Sequence, residues 1–321
     1  MTAQPFALLF PGQGAQAVGM GKDLPDAFPV AQDLYAEADR ILGYPLSQFC
    51  WEGPAEQLTR TEHCQPALYV TSLAILASVE AAMREQGLTF HPQAAGGLSL
   101  GEYTALAAAH VFSFADGLRI VRLRGQAMEQ AARATRGTMA SILGMERELL
   151  EAICAETGAQ VANLNSPGQI VISGATDAVE RACGLARQRG AKRAIPLEVG
   201  GAFHSRWMEP AAAQLKTALE SIEMRDLKFS VASNVTGRYY TQPGQARHAL
   251  VEQLTRPVQW VACMQTFLSA GIRTFVELGP GTVLKGLLRK LDPEALVISV
   301  GTAAEVHELA ASWASDRLQS S

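Results

Sequence analysis

The chain predicts an α/β fold in which a compact β-α-β-β-α-β unit interrupts a larger α/β unit. Three stretches carry that expectation. Phe6-Ala7-Leu8-Leu9-Phe10 is a continuous apolar run, as expected of a strand buried on both faces. Gly97-Leu98-Ser99-Leu100-Gly101 lies between the small apolar Ala94-Ala95-Gly96 and a strong helix former, Glu102–Ala109. Gly-x-Ser-x-Gly in that setting has the form of the nucleophile elbow of hydrolase-like α/β folds, with glycines where a Cβ would collide with backbone. From about Thr138 the texture changes to short strands and helices, ending near Pro196.

Taken in order, the Phe6–Phe10 strand runs into the glycine-rich Pro11-Gly12-Gln13-Gly14-Ala15. A dinucleotide fingerprint is the rival there, but Gly19 and Gly21 interrupt the helix it requires, and no acid-ending second strand follows at the right distance. A loop of this kind also exposes backbone N–H groups to an oxyanion. Helical patterns follow at Val30–Leu42 and Gln65–Glu85, the second apolar enough to be internal. Ser113-Phe114-Ala115-Asp116 resembles a helix N-cap with an acid in the first turn. On the helix to about Ala134, Arg119, Arg122, Gln126, Glu129 and Arg133 form a wet face, whereas Arg124 shares a face with Gly117, Ile120, Val121, Ala127, Met128 and Ala131. A guanidinium there needs a partner. An internal ion pair or a snorkelling side chain stands beside an anion-binding role.

Thr138–Gly144 reads as a strand and Glu146–Thr157 as a helix. Gln160–Asn165 and Gln169–Ser173 form a hairpin, Thr176–Arg189 a second helix and Lys192–Pro196 a fourth strand. That order is ferredoxin-like. The expected division is a core of residues 1–134 and 199–321, with residues 135–198 as an inserted subdomain. Further on come a helix from Met208 to Glu220, a strand at Lys228–Ser233, a helix with Leu250–Leu254, a last buried strand at Gly271–Leu278, and beyond Thr302 a helix with a frayed end.

Composition excludes several classes. With 321 residues, 48% of them apolar, the chain can bury a sizeable core. Its 27 basic and 31 acidic side chains are mildly acidic in balance and form no basic stripe for nucleic acid or an anionic membrane. Five scattered cysteines without Cys-x-x-Cys indicate thiols in a reducing compartment rather than disulfides or a metal site. The run Phe6–Phe10 is too short for a signal or a membrane span. A cytoplasmic protein is expected, without metal and without nucleic-acid or membrane partners.

A serine nucleophile needs a base within hydrogen-bond reach, and there are six histidines. His110 lies on the elbow helix itself, about 16 Å along its axis from Ser99, and reads as a C-terminal cap. His63, His91, His248 and His307 have no strand-end context. His204 follows a strand in a Gly-rich loop before a helix, C-terminal to the serine as in hydrolase-like folds. No acid stands out as a third member.

Together these residues resemble the malonyl-CoA:acyl carrier protein transacylases of fatty acid and polyketide synthesis, over nearly the whole chain. The resemblance rests on Phe10–Gln16, Gln65–Leu68, Gly97–Tyr103, Arg122–Gly125, Asn163–Gly168, Gly201–Ser205, Ser233–Val235, Pro257–Trp260 and Glu277–Gly281, in that order. It implies a hydrolase-like α/β core carrying a ferredoxin-like subdomain. By position it makes Ser99 the nucleophile and His204 the base, with backbone N–H groups of Gln13 and Leu100 as the oxyanion hole. Arg124 would hold the free carboxylate of a malonyl group, and the backbone carbonyl of Gln253 would orient His204, which accounts for the missing acid. Gln65 and Asn234 match pocket-lining positions, and Phe203 matches the form associated with malonyl rather than branched extender units. The family usually has histidine where this chain has Leu98.

The implied activity is ping-pong acyl transfer from malonyl-CoA to the phosphopantetheine thiol of an acyl carrier protein, with no tightly bound cofactor. An acyl hydrolase on the same fold is the runner-up, and Arg124 argues against it. A docking protein with a vestigial site is the non-enzymatic alternative. Fatty acid and polyketide pathways are not distinguished.

Overall fold

The computed structural model describes residues 5–319, and in these the chain builds a five-stranded and a four-stranded sheet. The elements run β1 (Phe6–Phe10), α1 (Leu24–Ala27), α2 (Pro29–Leu42), α3 (Leu46–Glu52), α4 (Ala55–Thr59), α5 (Thr61–Glu85), β2 (Ala94–Gly97), α6 (Leu100–Ala108) and α7 (Phe114–Ala134). Then come β3 (Gly137–Leu143), α8 (Arg147–Thr157), β4 (Gln160–Ser166), β5 (Gln169–Ala175), α9 (Thr176–Gln188) and β6 (Arg193–Pro196). The chain closes with α10 (Glu209–Glu220), β7 (Ser230–Val231), α11 (Pro243–Glu252), α12 (Trp260–Ser269), β8 (Thr274–Leu278), α13 (Val283–Leu291), β9 (Leu296–Val300) and α14 (Ala303–Gln319).

The larger sheet has the order β7-β2-β1-β8-β9, and every pairing in it is parallel. Successive side chains of a strand point to opposite faces, and β1 divides accordingly. Phe6, Leu8 and Phe10 enter the core beneath α2, α5 and α7, while Ala7 and Leu9 pack with α12 and α13 on the other side. Each fully buried leucine contributes about 1.5–3 kcal/mol of transfer free energy. Because the strands are parallel, the loops after β1, β2, β7 and β8 gather at one edge, where ligands of open α/β sheets bind. α5 is long and apolar enough to cross a membrane by length and composition, but 83% of its apolar window is buried, as in the core helix of a globular fold.

The smaller sheet is antiparallel, in the order β4-β5-β3-β6, with α8 and α9 packed against it. The β-α-β-β-α-β order is therefore present, with the β4–β5 hairpin turning at Pro167-Gly168. β4 is laced to the segment before α12. Val258 N–H donates to Ala162 O at 2.8 Å and Leu164 N–H to Val258 O at 2.9 Å. The next residue continues the connection, Gln259 N–H donating to Asn234 O at 2.7 Å.

Several expectations along the second half need correction. The buried strand expected at Gly271–Leu278 is present as β8 (Thr274–Leu278) but is not the last strand: β9 (Leu296–Val300), at the sheet edge, pairs with it from Thr274↔Leu296 to Leu278↔Val300. Its apolar run was the available signal. The strand expected at Lys228–Ser233 is only Ser230–Val231, because Ser233 N–H turns back to Arg238 O at 2.9 Å and the chain leaves the sheet. α11 starts at Pro243 and ends at Glu252, so Leu254 lies beyond it. α13 was not anticipated. The frayed end falls on residues 320–321, outside the described residues. His110 does end the elbow helix, but through its backbone: it takes φ 63°, with Val111 N–H reaching back to Leu106 O at 3.0 Å, a left-handed C-terminal turn.

Candidate active site

The elbow fixes Ser99. A Cβ on Gly97 would lie 2.0 Å from the Gly101 carbonyl carbon, and one on Gly101 would lie 2.1 Å from Phe10 O. Only glycines let strand, turn and helix close on each other there. Ser99 itself sits at φ 54°, ψ −100°, outside the regions open to ordinary residues. The turn is clamped from the β7 loop: Asn234 Oδ1 accepts from Ser99 N–H at 2.7 Å, and Asn234 Nδ2 donates to Gly97 O at 2.9 Å. Asn234, expected to line the pocket, is fully buried with both side-chain polar atoms engaged by the elbow backbone, so it holds the turn that carries Ser99.

His204 arrives from the loop after β6. Its Nδ1 lies 2.7 Å from the Gln253 backbone carbonyl and its Nε2 lies 2.8 Å from Ser99 Oγ. A carbonyl can only accept, so Nδ1 carries the proton and Nε2 is left to receive one from the serine. Burial, followed by the Arg124 charge, pushes the His204 pKa down to about 4, against a smaller rise from Gln253. The imidazole is neutral and basic in form at neutral pH.

Arg124 is brought in by α7, whose N-cap Ser113 accepts from Asp116 N–H at 3.0 Å. Arg119, Gln126 and Arg133 are exposed on the other side of that helix, whereas Arg124 is 1% exposed. Its Nη1 donates to Gln65 Oε1 at 2.7 Å, and its Nη2 donates to Gln253 Oε1 at 2.9 Å and to Ser99 Oγ at 3.0 Å. Among the described residues its Nε has no hydrogen-bond partner, and its Cζ lies 5.0 Å from the centre of the Tyr103 ring, within cation–π range. Among the described residues Arg124 makes no ion pair. Every acceptor is neutral, and burial lowers its pKa from the usual arginine value, with Tyr103 and Glu102 acting in the opposite direction. Among the described residues the expected internal ion pair is not formed, and the buried cation faces Ser99. Gln65 belongs to this assembly, its Nε2 lying 3.4 Å from Met128 Sδ.

Leu100 opens α6, so its N–H has no intrahelical acceptor. Among the described residues neither that group nor the Gln13 N–H makes a backbone or side-chain hydrogen bond. The two loops touch: Leu98 N–H donates to Phe10 O at 3.1 Å, and a Cβ on Gly12 would lie 2.3 Å from Leu98 O. Phe203, next to His204, is buried in the main core. Leu98 is half-buried against the core on the β8 side of the sheet.

Sequence reasoning missed the acid behind the elbow. Glu102, in the third position of α6, is fully buried. Oε1 accepts from Tyr240 Oη at 2.5 Å and from Asn234 N–H at 3.0 Å, and Oε2 accepts from Gln253 Nε2 at 2.5 Å. Burial raises its pKa to about 7 against these bonds. The signal was a carboxylate in an otherwise apolar helix start. No group of three or more His, Cys, Asp or Glu among the described residues could hold a metal ion.

The model of the acyl transferase domain matches residues 7–309. The malonyl CoA-acyl carrier protein transacylase of Bacillus subtilis (strain 168) is 44% identical over 317 residues, covering 94% of this chain and 98% of its own length. The acyl-carrier-protein S-malonyltransferase of Bartonella henselae superposes with a TM-score of 0.91 at 39% identity, covering 97% and 100% of the two chains. A malonyl-transacylase solved with its type II polyketide synthase acyl-carrier protein gives a TM-score of 0.89 at 39% identity, covering 94% and 98%. A match of this extent, over the strands and loops that assemble Ser99, His204 and Arg124, establishes that the chain belongs to the acyl transferase domain family.

Proposed function

We propose that the protein is a malonyl-CoA:acyl carrier protein S-malonyltransferase working through a serine acyl-enzyme. Ser99 Oγ attacks the thioester carbon of malonyl-CoA and its proton passes to His204 Nε2. The Gln13 and Leu100 N–H groups receive the carbonyl oxygen as it becomes an oxyanion, a contribution typically worth a hundredfold or more in rate per donor. Collapse breaks the C–S bond, and the departing sulfur of CoA takes the proton from His204. In the second half-reaction the phosphopantetheine thiol of the carrier protein gives its proton to His204 and attacks the Ser99 ester; the C–O bond breaks, Ser99 Oγ takes the proton back from His204, and the malonyl group leaves as the carrier thioester. The chemistry calls for no resident cofactor. Residues 135–198 serve as an inserted subdomain beside the core of 1–134 and 199–321. Buried, free cysteines favour a cytoplasmic setting, and the product suits fatty acid or polyketide synthesis.

The observation that carries the reading is the Arg124 guanidinium, buried with no carboxylate hydrogen-bonded to it among the described residues and 3.0 Å from Ser99 Oγ. A planar fork of donors suits a carboxylate through two parallel hydrogen bonds. Charge-assisted bonds contribute roughly 1.5–3 kcal/mol, so Arg124→Ala should lower kcat/KM for malonyl-CoA at least tenfold, while acetyl-CoA, lacking the carboxylate, loses little. The measurement is the malonyl-to-acetyl ratio of kcat/KM in wild type and variant, with melting recorded alongside. An unchanged ratio would defeat the clamp and favour the hydrolase reading.

A further inference from the structure

Glu102 is a buried acid that the transfer chemistry does not use. It sits behind Ser99, on the far side of the Gln253 side chain from Arg124. The Gln253 amide is held on both ends. Its Nε2 donates to Ser99 O at 2.9 Å and to Glu102 Oε2, and its Oε1 accepts from Arg124 Nη2 at 2.9 Å. A backbone carbonyl only accepts and a guanidinium only donates, while Glu102 Oε2 takes the second Nε2 hydrogen. The amide therefore has one allowed orientation, dictated by its neighbours. We propose that Glu102 is a positioning residue for substrate selection, which locks the Gln253 amide so that its oxygen aims the Arg124 guanidinium at an anionic acyl group. This rests on the clamp reading of Arg124.

The effect of neutralising Glu102 follows from hydrogen-bond sense. In Glu102→Gln one of the two oxygens becomes an NH2 group. Placed toward the Asn234 N–H and Tyr240 Oη, it would meet a backbone donor that cannot turn. Placed toward Gln253, it meets a side chain that can move. The conflict is thus delivered to Gln253 Nε2, which is pushed from its place between Ser99 O and Glu102, and Oε1 is drawn away from Arg124 Nη2. An unpaired or opposed buried donor is costly, so Arg124 shifts from its aim. The His204 link is spared, because it uses the backbone carbonyl of Gln253 rather than the side chain.

The test compares malonyl-CoA and acetyl-CoA transfer by the full-length protein in wild type, Glu102→Gln, Gln253→Met and the double variant. Glu102→Gln should lower the malonyl-to-acetyl ratio of kcat/KM at least fivefold. Gln253→Met should do the same, and the double variant should be no worse than Gln253→Met alone, because Glu102 acts through Gln253. Equal losses for both substrates in Glu102→Gln, or independent losses that multiply in the double variant, would overturn the proposal. If Glu102→Gln does not fold, Gln253→Met decides by itself, since an unchanged ratio there breaks the relay. Arg124→Ala in the same assay separates the two failures. A ratio that falls with Arg124→Ala but not with Glu102→Gln sinks the relay and leaves the clamp standing, whereas a ratio that ignores Arg124 sinks the clamp.

Discussion

Ser99 and His204 face each other across a 2.8 Å hydrogen bond, and both have positive φ, at 54° and 56°. Besides glycine, only His110 joins them there among the described residues. Such conformations cost of order 1–3 kcal/mol each and persist where the surroundings over-determine them. Here the surroundings are identifiable: Asn234 and the close-packed glycines hold the serine, and the Gln253 carbonyl holds the imidazole. The strain projects both side chains out of their chains toward each other.

Relieving that strain separates stability from activity. Ser99→Gly should raise the unfolding free energy by about 1 kcal/mol, since glycine takes positive φ without a Cβ penalty. Ser99→Ala, which keeps the Cβ, should not gain it. Neither variant should form an acyl-enzyme on mixing with labelled malonyl-CoA. Ester formation at another residue in either variant would refute Ser99 as the nucleophile, and equal melting temperatures for the two would refute the strain.

The depressed pKa of His204 has a consequence for acid. A histidine at about 4 in the fold and 6.5 when unfolded binds its proton more readily in the unfolded chain between those values. Its contribution to stability is therefore present above pH 6.5 and is lost as pH falls toward 4. Glu102, raised from 4.5 to about 7, works in the opposite sense over an overlapping range, losing stability as pH rises through 7. His204→Ala should slow acylation about 10²–10⁴-fold and leave a protein that loses less stability than wild type between pH 6.5 and 4. The acid limb of kcat/KM in wild type should lie well below 6.5. Urea titrations and initial rates across that range test both, and an acid limb at the ordinary histidine value would refute the buried, neutral base.

How much of this could be read from the residues depends on range. The β1 run, the elbow, the Ser113 cap and the odd position of Arg124 are local patterns, and spacing alone predicted the strand, turn and helix they form. His204 was found by elimination, since a base must follow a strand end. Glu102 was passed over because its partners Tyr240, Asn234 and Gln253 lie more than a hundred residues away in sequence, and no periodicity reports such a meeting. Asn234 was expected in the pocket because its match says nothing about which way the side chain turns. β9 was missed because the chain's end was judged by its helix, although five residues beginning at Leu296 are apolar in all but one position.

The clamp on the elbow should be separable from the chemistry it serves. Asn234→Ala removes the acceptor of Ser99 N–H and the donor to Gly97 O. Leaving those buried groups unpaired should cost about 1–3 kcal/mol each at most. Acylation should slow in step, because an elbow free to relax carries Ser99 Oγ away from His204. Asn234→Asp keeps the acceptor but not the donor, and should fall between the two. A variant that melts early yet acylates at the wild-type rate would show that Asn234 holds the fold and not the serine.

Gly12 tests the oxyanion hole most sharply. Its missing Cβ would stand 2.3 Å from Leu98 O, a backbone atom tied into the sheet through Leu98 N–H and Phe10 O. Neither side can yield by rotating a side chain, so Gly12→Ala must push the loop after β1 away from the elbow. That loop carries the Gln13 N–H, while the Leu100 N–H stays with α6. In the proposed mechanism these two donors share one oxygen and would then be parted, and loss of one donor typically costs a hundredfold or more in kcat. The Arg124 assembly is built from α5, α7 and the loop after α11 and does not include Gly12, so KM for malonyl-CoA should change far less than kcat. An interaction realised only in the transition state gives that split. Single-turnover acylation of Gly12→Ala by malonyl-CoA measures it directly, and a large rise in KM with an unchanged kcat would remove Gln13 from the oxyanion hole.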